Sequence, residues 1–503
     1  MSSHPRTSAG SSTSVIELQP ITSNHENASK QSLPHIAHYV SRRQSHSKSV
    51  VDDRNESLPS PTTATEALQK WNTPSVNMYR SFAAFWGFII MGANDAAYGA
   101  IIPYLESYYN LTYTVVSLIF LSPLVGYILS ALLNNTIHLK LGQRGVAIIA
   151  PRNDRHAPFK SINFGTITEP ERSYHAKLSA ESRASCHLIA YVVIAVHPPY
   201  PVLVVIFMLA GFGNGLEDAA WNAWLGNMAN ANEILGFLHG FYGLGAVLSP
   251  LIATTMITKA NLPWYSWYYI MIGAAGIELL TSVAAFWTAT AAAFRTANPR
   301  TTDKQGNRMK EALATMPSAR VTWLCAFFLL GYVGIEVALG GWIVTFMIRV
   351  RQGNPFSSGM TATGFWLGIT VGRVILGFVT PRLGEKLAIS IYLPLAMGLQ
   401  LLFWLVPQFY VSAVAVSLVG FFLGPLFPAA VVASTKLLPR HLHVSAIGFA
   451  AAFGGSGAAI FPFAVGAIAQ ARGVQVLQPI VLALLAVVLL LWLGLPRIGR
   501  KSE

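Results

Sequence analysis

Apolar runs recur from Ser81 to Leu495, each about 20 residues long, which is the length a helix needs to cross the hydrocarbon core of a bilayer. In lipid the backbone can satisfy its own hydrogen bonds only within helices or closed barrels, so runs of this kind read as spanning helices. They fall at 80–104, 112–135, 202–227, 234–258, 267–293, 321–347, 360–380, 387–406, 409–433, 444–469 and 475–495. Charged residues are only 11% of the chain and hydrophobic ones 53%, against about 25% charged in soluble domains. An ordinary soluble protein is excluded. A twelfth span is split: Gly145–Pro151 and Ser185–Val196 are each too short to cross, but joined they make one helix length. Between them lies the polar and charged stretch 152–184.

The two halves of the chain repeat each other. Asp95 and Glu336 stand 241 residues apart and Gly142 and Gly384 stand 242 apart, whereas Gly211 and Gly420 are separated by 209 and Gly245 and Gly457 by 212. The offset falls by about the 33 residues that 152–184 contains. Two six-helix halves interrupted by an insert account for the pattern. The expected organisation is a disordered cytoplasmic tail over 1–78, a bundle over 79–293 with the insert 152–184, a linker over 294–319, a bundle over 320–495 and a tail over 496–503. The insert reads as a retained non-coding segment or isoform insertion, extruded into the cytoplasm. Arg42, Arg43 and Ser45 in the first tail match a basic-directed kinase site.

The net charge of +13 is explained by where the basic residues fall. With both termini inside, fifteen Lys and Arg lie in the inner connections and C-terminus, Lys140, Arg144, Arg382, Lys386 and Lys436 among them, against four outside, Lys259, Arg349, Arg351 and Arg472. This positive-inside bias places the termini in the cytoplasm and removes the reason to invoke nucleic acid. Cys186 and Cys325 both lie in apolar runs, so neither a disulfide framework nor a metal site is expected. The chain carries no GK[ST] phosphate loop, HExxH or CxxC. Neither an enzyme nor a cofactor is indicated.

Three segments carry a resemblance: GFVTPRLGEK at Gly377–Lys386, GNGLEDAAWN at Gly213–Asn222 and GYVGIE at Gly331–Glu336. Together they resemble the major facilitator superfamily, and within it the fucose-permease-like branch that includes the fungal bypass-of-stop-codon group. The resemblance implies an all-α integral membrane protein with twelve transmembrane helices in two six-helix bundles, and a small solute as ligand. It also implies a gating loop motif at Gly377, Arg382, Gly384 and Lys386, with a degraded first-half copy, HLKLGQRG, at Lys140, Gly142 and Arg144.

Ionisable groups inside spans are costly and mark solute or proton pathways. Asp95 lies among small residues, Gly92, Ala93, Ala96 and Ala97, and Glu217 is an acid suited to loading and releasing a proton in a low-dielectric cavity. Both are expected to couple protons. Asn94, Asn214, Trp221, Asn222, His239, Tyr242, Glu336 and Trp342 are expected to bind the solute, the carboxylate taking hydroxyls and an indole taking an apolar sugar face. His187 is a further candidate, Asp218 and Glu278 read as structural, and Arg373 as snorkelling toward the inner surface. The reading is a proton-coupled secondary transporter of a sugar or other small polar solute, acting as a monomer in the plasma membrane. An exporter of metabolites or drugs and a nutrient receptor that does not transport are the alternatives.

Overall fold

The structure is a computed structural model that describes residues 69–146, 186–226, 228–229, 231–292, 305–439 and 442–497. Residues 1–68 of the expected tail, with the kinase site, the insert 152–184, residues 294–304 of the linker and the last six residues lie outside the described residues.

The first half contains α1 (Ser75–Tyr109), the short α2 (Tyr113–Val116), α3 (Leu118–Val146), α4 (Cys186–Ala195), α5 (Tyr200–Gly226), α6 (Ala231–Thr258) and α7 (Ser266–Phe286). The second half follows α8 (Gln305–Ala314) with α9 (Ser318–Arg349), α10 (Pro355–Leu383), α11 (Glu385–Leu405), α12 (Phe409–Leu423), α13 (Leu426–Leu437), α14 (His443–Gly455), α15 (Gly457–Arg472) and α16 (Leu477–Gly494). Helices α12 and α13 form one span broken at Gly424-Pro425, and α14 and α15 form another broken near Ser456. Among the described residues, eleven helical segments are long and apolar enough to cross a membrane, and α4 is a shorter apolar helix beside the undescribed stretch. The outer surface is inverted relative to a soluble protein, with Leu132, Leu280, Phe378 and Leu490 all largely exposed. Lipid is the solvent for which such a surface is suited.

Helix boundaries follow local chemistry. Asn110 ends α1 in the left-handed region at φ 55°, which Asn tolerates better than most residues. Asn354 caps α10 by accepting from the Ser357 amide at 2.8 Å, with Pro355 at the first helical position. Gly384, at φ 85°, makes the sharp turn from α10 to α11.

Packing reproduces the repeat read from sequence. In the first half α1 pairs with α6, α3 with α5 and α4 with α7; in the second, α9 pairs with α14 and α15, α10 with α12 and α11 with α16. The halves meet where α6 crosses α10, α1 meets α9 and α3 meets α15. Helices α1 and α9 are the most enclosed, with 83% and 72% of their central windows inside the protein against 28% for α7. Polar groups on α1 and α9 therefore face protein or cavity rather than lipid.

Two boundaries differ from expectation. Helix α1 starts at Ser75 rather than near residue 79, and Asn77 is fully buried, donating to Gln69, Lys70 and Thr73. Within the expected linker, α8 packs on α9 and α14, and the Trp323 indole donates to the Leu313 carbonyl at 3.1 Å.

Small residues let α1 and α6 touch: a Cβ on Gly92 would strike the Tyr242 carbonyl, and one on Gly245 the Ile89 carbonyl. Overpacking of this kind costs about 1–3 kcal/mol. Gly245→Val is thus expected to lower the melting temperature of the purified protein in detergent. Gly236→Ala, where the new methyl meets nothing, leaves it unchanged or raises it.

Candidate functional site

Asp95 sits midway along α1, and its carboxylate is a convergence point. Oδ1 accepts from the amides of Asn94 at 3.1 Å and Asn214 at 3.2 Å, and Oδ2 from the Tyr242 hydroxyl at 3.1 Å. The Asn94 amide also donates to the Tyr98 hydroxyl at 2.9 Å. Asp95 and Tyr242 are half-buried, whereas Asn94 and Asn214 are buried. The carboxylate is therefore held by three donors while the residue stays partly exposed.

Asn214 on α5 carries the network deeper. With its amide N–H turned to Asp95, its oxygen faces His187 Nε2 of α4 at 2.9 Å, so that nitrogen carries the proton. His187 Nδ1 then lies 3.0 and 3.1 Å from the two oxygens of Glu278 on α7. Glu217, also on α5, completes the cluster: ligand atoms of His187, Glu217 and Glu278 all lie within 4.8 Å of one another. His187 and Glu278 are 1% exposed and Glu217 7%, and Glu217 Oε2 is buried with no hydrogen-bond partner. Two glycines make the room: a Cβ at Gly87 would collide with the Glu217 carboxyl, and one at Gly213 with the His187 ring. A proton is the smallest charge balance for two carboxyls and an imidazole in a dry bundle, and a divalent cation is the other chemistry this donor set can hold.

The second half contributes a buried ion pair. Arg373 of α10 lies 3.6 Å from Glu336 of α9, and its guanidinium also donates to the Tyr332 hydroxyl at 3.3 Å and the Gly424 carbonyl at 3.2 Å. Tyr242 and His239 lie on α6, which packs against α10 where Gly243 meets Thr370. The polar groups of the two halves thus confront each other across the α1, α6, α9 and α10 interface.

Contacts between halves close the Tyr109 end of the molecule. Arg349 pairs with Glu106 at 3.3 Å, the Tyr113 amide donates to Gln470 at 2.9 Å, and Lys259 lies over the Phe356 ring at 4.4 Å. Beneath them Trp342 is fully buried, its indole N–H donating to the Pro462 carbonyl at 2.8 Å and its ring packed edge-on against Tyr113.

The structure brings together Asn94, Asp95, Asn214 and Tyr242, and sets His239 one turn before Tyr242 with its ring 5.7 Å from Phe88. It does not bring in three other expected ligands. Trp342 offers no free ring face, because both its N–H and its faces are used in closing the Tyr109 end. Trp221 stacks on Phe286 at 4.4 Å and meets Glu217 rather than Asp95, and Asn222 donates to Asp218 at 2.8 Å within its own helix. Arg373 pairs with Glu336 instead of reaching the inner surface, and Glu278 is bonded to His187. Sequence reasoning missed the pairing of His187 with Glu278. The signal available was one His and one Glu, each alone in an apolar run.

In the loop motif, Lys386 donates to the carbonyls of Trp492, Leu493 and Leu495 at the end of α16, and Glu385 pairs with Lys436 at 2.7 Å. A cation on a helix C-terminus is favourable. Gly377 and Arg382 lie in the last turns of α10. Lys140, Gly142 and Arg144 lie in the last turns of α3, where only the backbone course is described. An open groove of about 400 Å³ between α10 and α12, lined by Met360, Phe409, Tyr410 and Val414 among others, is apolar and shares no residue with this site.

Removing one partner of a buried ion pair costs of order 3 kcal/mol, mostly from stranding the other charge. Arg373→Leu and Glu336→Gln are each expected to lower the melting temperature in detergent, while the double variant recovers most of the loss. Losses that simply add would mean the two do not act as a pair.

The Major Facilitator Superfamily profile matches residues 184–417 and 346–503. Bypass of stop codon protein 6 of Saccharomyces cerevisiae is 26% identical over 442 residues, covering 83% of this chain and 82% of that protein. The glucose/mannose transporter GlcP of Bacillus subtilis is 25% identical over 270 residues, 53% of this chain and 65% of that one. Among solved structures, the nucleoside transporter NupG superposes with a TM-score of 0.61 at 12% identity, over 83% of this chain and 99% of that one. The transporter FucP, solved in its outward conformation, gives 0.54 at 14% identity, over 84% and 98%. These likenesses match the twelve-helix, two-bundle architecture. The chain is a multi-pass integral membrane protein that belongs to the Major Facilitator Superfamily.

Proposed function

We propose that this protein is a proton-coupled secondary transporter of a sugar or another small polyhydroxylated solute, working by alternating access. The observation that carries the reading is Asp95: a half-buried carboxylate at mid-membrane, held by three donors and partly exposed. A carboxylate fixed in this way accepts hydroxyl hydrogen bonds from a solute without reorganising. Glu336 and Arg373 supply the opposing face from the second half, with His239 beside Tyr242 on the first, so that rocking of the halves changes access around one fixed site. The similarity to a glucose/mannose transporter supports a hydroxylated solute.

Proton coupling is supported by the charge balance of the interior. The described first half holds Asp95, Glu217 and Glu278 joined through Asn214 and His187, with no Lys or Arg bonded to any of the three acids. An inward proton gradient is the force available to load such a cluster. The positive bias of the connections puts the Tyr109 end outside and both termini in the cytoplasm. In that orientation the structure is closed to the exterior, and the plasma membrane and a monomeric working unit are part of the same reading. The Lys386 and Glu385 ties hold the cytoplasmic ends of α11, α13 and α16 together as the second half rocks.

The test is uptake of labelled D-glucose, L-fucose and uridine by proteoliposomes, with and without an inward proton gradient. Gradient-dependent accumulation of at least one is expected. Asp95→Asn is expected to raise its KM by about 10- to 100-fold, the value of one charge-assisted hydrogen bond. Efflux driven by the opposite gradient, with no uptake, would favour the exporter.

A further inference from the structure

We infer that His187, Glu217 and Glu278 form the compartment that holds the coupling proton, separate from the solute-binding carboxylate Asp95, and that Asn214 is the positioning residue that links the two. The inference rests on the proton-coupled reading above and assigns its residues.

The hydrogen-bond directions leave little freedom. Asp95 accepts from the Asn214 N–H, so the Asn214 oxygen accepts from His187 Nε2. His187 Nδ1 is then left facing the Glu278 carboxyl at 3.0 Å, and that contact requires one proton, whichever atom carries it. His187 and Glu278 together are then neutral, either as imidazole with carboxylic acid or as imidazolium with carboxylate. Glu217 remains, its carboxyl in contact with Glu278 and the Trp221 side chain and its Oε2 buried without a partner. As a carboxylate it leaves the cluster with one uncompensated negative charge in a dry bundle, and one added proton brings the sum to zero. Loading forms an O–H bond on Glu217 Oε2 with a proton taken from water; unloading breaks that bond and returns the proton to water.

The surroundings do not offer another balance. The titratable groups around the cluster are Cys186 and Tyr191 on α4, Asp95 and Tyr98 on α1, Tyr127 on α3, Asp218 on α5, Tyr242 on α6 and Tyr268 on α7. All are acids or neutral groups, and among the described residues no Lys or Arg is bonded to the three. Asp95 differs in kind, being already satisfied by three donors and partly exposed. A solute hydroxyl arriving at Asp95 competes with the Asn214 amide for Oδ1, and any turn of that amide alters what its other end offers His187. Solute occupancy and proton occupancy are thereby linked through one side chain, and the linkage is reciprocal.

The experiment compares wild type, Glu278→Gln, Glu217→Gln and His187→Gln in proteoliposomes, using whichever of D-glucose, L-fucose and uridine the wild type accumulates. Solute exchange at equal pH is measured beside gradient-driven accumulation. Glutamine is isosteric with a protonated glutamate, and in His187→Gln the new amide can still donate to Asn214 while holding no extra proton. Each variant is expected to lose gradient-driven accumulation at least tenfold more than it loses exchange, and to flatten the pH dependence of exchange. Asn214→Asp, which replaces the donor facing Asp95, is expected to weaken apparent solute affinity and accumulation together. Variants that keep accumulation and exchange in the wild-type ratio would overturn the assignment while leaving proton coupling intact. A wild type that exchanges solute but ignores the gradient would overturn both, and the failing sample identifies which. Uptake that requires Mn²⁺ or Zn²⁺, or thermal stabilisation by either ion that the three variants abolish, would overturn it in favour of a metal site.

Discussion

A carboxyl group inside a lipid-embedded bundle has no bulk water to turn to, and each one must be matched by a donor, a cation or a proton. This constraint organises the interior of the protein. In the second half the match is ionic, Glu336 against Arg373, with Tyr332 and the Gly424 carbonyl each taking a further guanidinium donor. In the first half it is made by neutral donors and an imidazole, so that the charge balance there changes by protons alone. The two halves are similar in packing and different in electrostatics.

That asymmetry suits a device in which one half holds and the other switches. The Glu336–Arg373 pair is charge-balanced as it stands and presents polar groups without needing a proton. The network running from Asp95 through Asn214 and His187 to Glu278 and Glu217 crosses four helices, α1, α5, α4 and α7. Any relative movement of these helices acts on its geometry. At the Tyr109 end the closure relies on packing around Trp342, whereas the Arg349–Glu106 pair above it is half-exposed on the arginine side and contributes at most about 1 kcal/mol. A seal that is mostly shape can open without breaking a costly ion pair.

Much of the architecture was legible in the chain because bilayer thickness imposes a length on every span, and because the offset between repeats changes by the size of the insert. Side-chain partners were less legible. Helical periodicity reveals which residues share a face but not which helix covers that face, so Asn214 was recognised as a site residue while its link to His187 was not. His187 was further obscured because its span is split in sequence by 152–184. Nor does the chain reveal what surrounds Trp342: the space beside Gly340 and Gly341 is filled by Trp366, Phe120 and the close approach of Gly99 on α1. Arg373 was placed near a membrane surface because its span was drawn to end at 380; the helix continues to Leu383, and a guanidinium at that depth finds Glu336 closer than water.

If solute and proton share one linked network, binding one must move the other. The most direct measurement is the pH of a lightly buffered solution of the purified protein in detergent as the transported member of the D-glucose, L-fucose and uridine panel is added. The account predicts proton movement that saturates in step with solute binding and disappears in Glu217→Gln. Solute binding seen by calorimetry, with no proton taken up or released from acid to neutral pH, would contradict it.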